Sequence, residues 1–399
     1  MFSIRVVIVY LAAAVLFAPF AGAEKFDFEP HSRAVAKGGD PQLAVRASGE
    51  LFLLRVEGPD LWLETSSDGG DSFDEKVRVN DAGEVSSHAE STPQMIVRSM
   101  HEFYCLWELK DAQGKTSLRL SRSMDWGKTF AKSVPVDPRN RSKNQSFYSM
   151  AVTAKGVIVV AWLDGKGVSV ARSVDRGRSF ENIKQVATNV CPCCRPALAT
   201  GPNGEVYLSW RGMFPDDVRD MMVASSQDDG ASFTVGSRIA HDDWHIDGCP
   251  HAGDTVVVLN GRLFVSWYTV RNNQRWLYLA WSDDHGQHFS QPVNAAAGVL
   301  DADHARFVSF GTTAGLLFQA RPASGDAGWN KLHTYFRQVT ASGALLPLQD
   351  LGHASGSATY PVAAYESPNH LFVAWTERSD TDGRVVMTRG RPEGSAHGQ

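Results

Sequence analysis

The sequence predicts an all-β chain wound as a β-propeller of four-stranded blades, and two regularities carry that expectation. The first is the pattern Ser-x-Asp-x-Gly-x-(Ser/Thr/His)-Phe, which begins at Ser66, Ser123, Ser173, Ser226 and Ser282, with starts 50 to 57 residues apart. The second is a series of short apolar runs ending in Trp107, Trp162, Trp210, Trp267 and Trp375, with Arg55 and Arg321 in the same slot. Thirty-five Gly and eighteen Pro spread along 399 residues supply the turns such an architecture needs.

Each unit reads as four strands in order. Strand A starts near Pro41, Pro93, Tyr148, Pro196, Gly253, Phe307 or Pro361, fourteen residues before each slot. Strand B runs to the slot, as in Val206-Tyr207-Leu208-Ser209-Trp210, where β-branched and aromatic residues favour a pleated, packed surface. Strand C leads into the Ser-Asp turn. There the Ser hydroxyl and Asp carboxylate can bond backbone N–H groups, Gly supplies a positive φ, and Phe packs the turn onto the sheet. Strand D follows. The slots define seven units of about 53 residues. The last unit stops after strand C, at Arg384-Val385-Val386-Met387-Thr388, while Phe26 to Val35 looks like an unattached strand D. Joining the two ends in one blade closes the ring and removes two open sheet edges.

Residues 1–23 have the three parts of a secretory signal: Arg5, the apolar run Val6 to Phe20, and the small residues Ala21-Gly22-Ala23. The run is too short for a good membrane anchor, so cleavage before Glu24 is expected to leave residues 24–399 as a single propeller domain with no membrane span. The expected location is periplasmic or extracellular. Lys and Arg total 39 against 44 Asp and Glu, a net charge of −5 with no block of like charge. That excludes the concentrated cationic surface of a nucleic-acid binder or a polybasic membrane-surface protein.

In a propeller the Ser-Asp turns lie on one face, and the D-to-A and B-to-C connections lie on the other. Residues just before each strand A therefore converge on the axis. Those residues include Cys191-Pro192-Cys193-Cys194-Arg195-Pro196 in blade four and His245-Ile246-Asp247-Gly248-Cys249-Pro250-His251 in blade five. Blade two has His88, blade six Asp303-His304-Ala305-Arg306, and blade seven His353 and Thr359-Tyr360. Cys105 sits in a strand-like run and reads as a buried, inert thiol.

Two chemistries fit the other four cysteines. Disulfides are common in exported proteins, so Cys249 is expected to bridge a blade-four cysteine, with room for a second bond inside the triplet. A soft metal ion, copper ahead of zinc outside the cell, would instead take Cys193, Cys194, Cys249, His245, His251 and His304. One disulfide and one metal could also coexist. Arg195, Arg306 and Tyr360 are expected to share one register position before strand A, as does Asp40, and Arg195, Arg306 and Tyr360 would orient an anionic substrate through bidentate guanidinium contacts.

The five Ser-Asp turns are Asp boxes, and through them the chain resembles the sialidase-like (BNR-repeat) β-propellers over nearly its whole mature length. Many relatives have six blades, which makes six the alternative to seven. The resemblance implies a glycan ligand and sialic-acid hydrolysis by an arginine cluster, an Asp acid/base and a Tyr nucleophile assisted by a Glu. At the head of the first strand A, the family's Arg-Ile-Pro is replaced here by Gly39-Asp40-Pro41. The nearest imitation is Cys194-Arg195-Pro196, in blade four. The readings that follow are a metal-dependent redox or hydrolytic enzyme, a sialidase-like glycoside hydrolase, and a non-catalytic glycan- or protein-binding module.

Overall fold

Seven antiparallel sheets succeed one another around a ring in the computed structural model, which describes residues 25–393 apart from 47, 99–100, 140–143, 166, 324–330, 353–355 and 379–382. The segment 1–23 and His353 lie outside the described residues. The inner strands are Gly39–Val45, Gln94–Val97, Ser146–Val152, Ala197–Thr200, Thr255–Leu259, Val299–Phe310 and Ser357–Ser367. Each touches the next, and the seventh touches the first, so the ring closes with seven blades and not six.

The second strand of each blade forms the core. In blade three, Ile158–Asp164 is buried along nearly its whole length because both faces of the sheet are covered. Successive side chains of a strand point to opposite faces. Ile158, Val160 and Trp162 pack towards Leu106 and Leu118 of blade two, while Val159, Ala161 and Leu163 pack towards Val206 and Leu208 of blade four. The core is therefore distributed between blades, and Trp107, Trp162, Trp267 and Trp375 of the slot are fully buried.

The chain ends meet in blade seven. Phe26–Phe28 and Arg33–Lys37 both pair antiparallel with Gly383–Pro392, so the N-terminal segment supplies the outer edge as two short strands. The break between them contains Pro30, which has no ladder N–H to give.

The five recurring turns share one hydrogen-bond scheme. In the first, the Ser66 hydroxyl donates to Asp68 Oδ1 at 2.7 Å and accepts the Gly70 N–H at 2.7 Å, and Asp68 Oδ1 accepts the Ser72 N–H at 2.9 Å. Gly70 has φ of +85°, a region that costs glycine little.

Bulges interrupt the inner strands where they approach the axis. Asp40-Pro41 stand opposite Arg55, Tyr360-Pro361 opposite Trp375, and His304-Ala305 opposite Phe318. The first residue of each pair is left-handed, with φ of 53° at Asp40, 54° at Tyr360 and 51° at His304. This corrects the expected register of blade six. Its slot is Phe318 and not Arg321, and the counterpart of Asp40 and Tyr360 is His304 and not Arg306. The units are unequal: Phe318 comes 51 residues after Trp267 and 57 before Trp375, which a constant spacing cannot register.

Candidate functional site

Four cysteines and one histidine gather at the mouth of the channel between blades four and five. The donor atoms of Cys191, Cys193 and Cys194 lie within 4.8 Å of one another, and so do those of Cys193, Cys249 and His251. Cys193 belongs to both groups. The blade-four loop is fixed by the Cys191 N–H, which donates to the Arg211 carbonyl at 2.8 Å, and its thiols are covered by Phe147 and Met213. Cys191, Cys193 and Cys194 are buried, whereas Cys249 and His251 are exposed. The Cys194 and Cys193 thiols both approach Cys191 Sγ at 3.7 Å, and their hydrogen bonds, with Arg211 nearby, draw the Cys191 thiol down; burial pushes Cys194 up to about 12.

All five cysteines are free. No two of them stand at the distance of the disulfides expected between Cys249 and blade four or inside the triplet. A sulfur–sulfur separation of 3.7 Å far exceeds the roughly 2.05 Å of an S–S bond. It fits ligation instead: metal–sulfur bonds of about 2.3 Å put neighbouring sulfurs ~3.8–4 Å apart.

Two of the expected ligands stand elsewhere. His245 is exposed, and its Nδ1 lies 2.9 Å from the Asp216 carbonyl, in the connection after the second strand of blade four. His304 belongs to the hub of the channel, and Cys191 takes its place among the grouped thiols. Near them, the Phe147 ring lies between those of His88 and His251, at 5.2 and 6.5 Å. Burial first, and then His251, draws the His88 pKa down.

Glu90 organises the hub. It enters from the connection leading to the inner strand of blade two and is 1% exposed. Its Oε2 accepts the Arg195 N–H at 3.2 Å and the Gly253 N–H at 2.8 Å, and its Oε1 lies 3.3 Å from His304 Nε2. One carboxylate thus ties the residue after Cys194 to the residue two after His251. A Cβ at Gly253 would stand 2.5 Å from Glu90 Oε2 and 2.7 Å from the Arg195 carbonyl, so the position requires glycine.

The other expected site residues surround this carboxylate. Asp303 Oδ1 lies 2.9 Å from His304 Nδ1. Burial alone would lower the His304 pKa, but Asp303 and Glu90 outweigh it and hold it above its ordinary value. The Tyr360 ring meets the His304 ring edge-on at 5.0 Å. Arg195 donates to the Asp254 carbonyl at 3.1 Å. Desolvation, with repulsion from Arg195, lowers Arg306 to about 9 despite Glu90, Tyr360 and Asp254. Asp40 Oδ2 accepts the Ser87 hydroxyl at 2.6 Å. The hub can accordingly hold an anion against two guanidinium groups and place a proton on His304 or Tyr360. Glu90, Asp254 and Arg211 were missed by the sequence reading; for Glu90, a place near His88 in an axis-facing connection was the available signal.

No family model and no curated protein matches the chain. Solved structures similar to it include an ulvan lyase, a polysaccharide lyase, at 9% identity over 90% of this chain and 95% of that one, with a TM-score of 0.55. A protein of unknown function from Dyadobacter fermentans aligns at 13% identity over 92% of this chain and all of the other, with a TM-score of 0.53. A Hadza microbial sialidase aligns at 14% identity over 87% and 74%, with a TM-score of 0.51. At these identities the likeness establishes the fold, a sialidase-like β-propeller. Among the described residues, no helix is long and apolar enough to cross a membrane.

Proposed function

We propose that this chain is an exported propeller enzyme whose axial mouth binds copper as Cu(I) and presents a small anionic ligand to the hub beside it. The observation that carries the reading is the convergence of Cys191, Cys193, Cys194, Cys249 and His251 from two blades without an S–S bond. Thiolates select soft ions such as Cu(I), and a sulfur spacing of 3.7 Å suits such bonds. When bound, copper would supply one-electron chemistry. The chain's own residues do the rest. Arg195 and Arg306 orient the anion, His304 holds a proton between Asp303 and Glu90, and Phe147 covers the thiols from water. The segment 1–23 directs export, and the five Ser-Asp turns act as Asp boxes that stiffen the opposite face.

Elemental analysis of protein recovered from an oxidising compartment tests this. Copper that co-purifies and survives dialysis is expected, with a marked loss in Cys249→Ser. Metal-free wild-type protein that takes up no Cu(I) on anaerobic addition would overturn it.

A second reading is hydrolysis or elimination on an acidic glycan, favoured by Arg195, Arg306 and Tyr360 around the hub and by the likeness in fold to a sialidase and an ulvan lyase. Against a tyrosinate nucleophile, burial, with Asp40 and Glu90 adding to it, pushes Tyr360 up to about 12. Turnover of a fluorogenic sialoside, abolished in Tyr360→Phe, would put this reading first.

A further inference from the structure

The five donors form two triads that meet at one atom, and we infer that the site is dinuclear, with Cys193 Sγ bridging two Cu(I) ions. This rests on the soft-metal reading above and goes beyond it in number, ligand sets and accessibility. Cys191, Cys193 and Cys194 would bind one ion, and Cys193, Cys249 and His251 the other. Within each triad the donor atoms lie within 4.8 Å of one another, and Cys193 alone belongs to both, so each triad has the compactness of one coordination sphere. Thiolate sulfur keeps lone pairs after binding one metal and can bind a second.

Charge favours a bound cation at the buried thiols. Cys191, Cys193 and Cys194 are 0–4% exposed, and a buried excess of negative charge is costly. Arg211 is the nearby compensating cation: it is fully buried, donates to the Ala252 and Tyr268 carbonyls, and leaves Nε and Nη1 without partners.

The two ions would differ in access. The Cys191/Cys193/Cys194 ion would be sealed under Phe147 and Met213, a storage-like position. The second, on exposed Cys249 and His251, would face solvent on the same side as the hub and is the one that could exchange or meet a ligand. The class of ligand is a soft monovalent metal ion, delivered as Cu(I).

Anaerobic titration of the mature protein with Cu(I) against a competing chromophoric chelator tests the inference. Wild type is expected to withhold two equivalents. Cys249→Ser and Cys191→Ser should each withhold one, and Cys193→Ser should lose tight binding of both. X-ray absorption of the wild type loaded with two equivalents should show a copper–copper vector, a readout independent of whether any variant folds. Saturation of wild type at one equivalent, or no such vector at full loading, would overturn the dinuclear site while leaving the soft-metal reading intact. No Cu(I) binding at all would overturn both.

Discussion

Glu90 is the residue on which the two ligand-bearing loops depend. Its buried carboxylate accepts N–H groups from both loops and faces His304, so its loss leaves two donors and an imidazole unmatched. Removing one partner of a buried charged cluster costs on the order of 3–5 kcal/mol. Glu90→Ala should therefore lower unfolding stability by about that much and weaken Cu(I) binding, while Glu90→Gln, which keeps an acceptor oxygen, should lose less of both. Denaturant unfolding alongside metal competition checks the pair; an alanine variant as stable and as tight as wild type would contradict the role. Asp254 gives a pH signature. Burial raises it to about 6, against Ser209 and Arg195 which pull it down. The neutral carboxyl is thus the form that the fold favours. Its contribution is present below the unfolded value of about 3.9 and is lost as pH rises through 6, an effect of about 2–3 kcal/mol. Urea unfolding at pH 4.5 and pH 7.5 should show this slope in wild type and a flatter one in Asp254→Asn. The partners of such residues were not legible in the sequence, because a lone Glu or Asp carries no mark of what a closed ring brings to it; for Glu90 only its place in an axis-facing connection was.

At the scale of the element, the turns and second strands were legible for a physical reason. A turn that needs a hydroxyl, a carboxylate, a positive φ and a packing Phe at fixed offsets leaves a fixed string of residues. Asp228 shows the scheme: burial would raise it, but hydrogen bonds from Ser232 and Ser226 hold it at about 2. Asp228→Ala should cost about 1–2 kcal/mol in thermal or urea unfolding. It should leave Cu(I) stoichiometry unchanged, since the turn lies on the face opposite the thiols. A change in metal binding in that variant would contradict a purely structural role. Leu208, fully buried between blades three and four, should cost about 2–5 kcal/mol when cut to alanine. Blade six shows where the periodicity failed. Its slot comes 51 residues after Trp267 and 57 before Trp375, and an even spacing placed Arg306 where His304 stands.

At the scale of the whole molecule, ring closure is what turns separate loops into one site. The count of seven and the closure by the N-terminal segment followed from repeats and from a last unit lacking its fourth strand. Convergence of Cys193, Cys249 and His251 followed from topology, since connections on one face of a wheel must approach its axis. The assignment of His245 did not, because its loop turns outward to the Asp216 carbonyl before Cys249 turns in. A chain beginning at Gly38 should lose Phe26–Phe28 and Arg33–Lys37 from the outer edge of blade seven, exposing Gly383–Pro392. It should melt at lower temperature and aggregate; a monomeric truncation with wild-type melting would contradict closure. The central claim, that these sulfurs serve a metal and not a covalent staple, is tested most directly by counting thiols. Protein denatured without reductant, in the presence of a strong chelator, should react at all five cysteines with an alkylating reagent. A single reactive thiol would mean two disulfides, and the proposed centre would not exist.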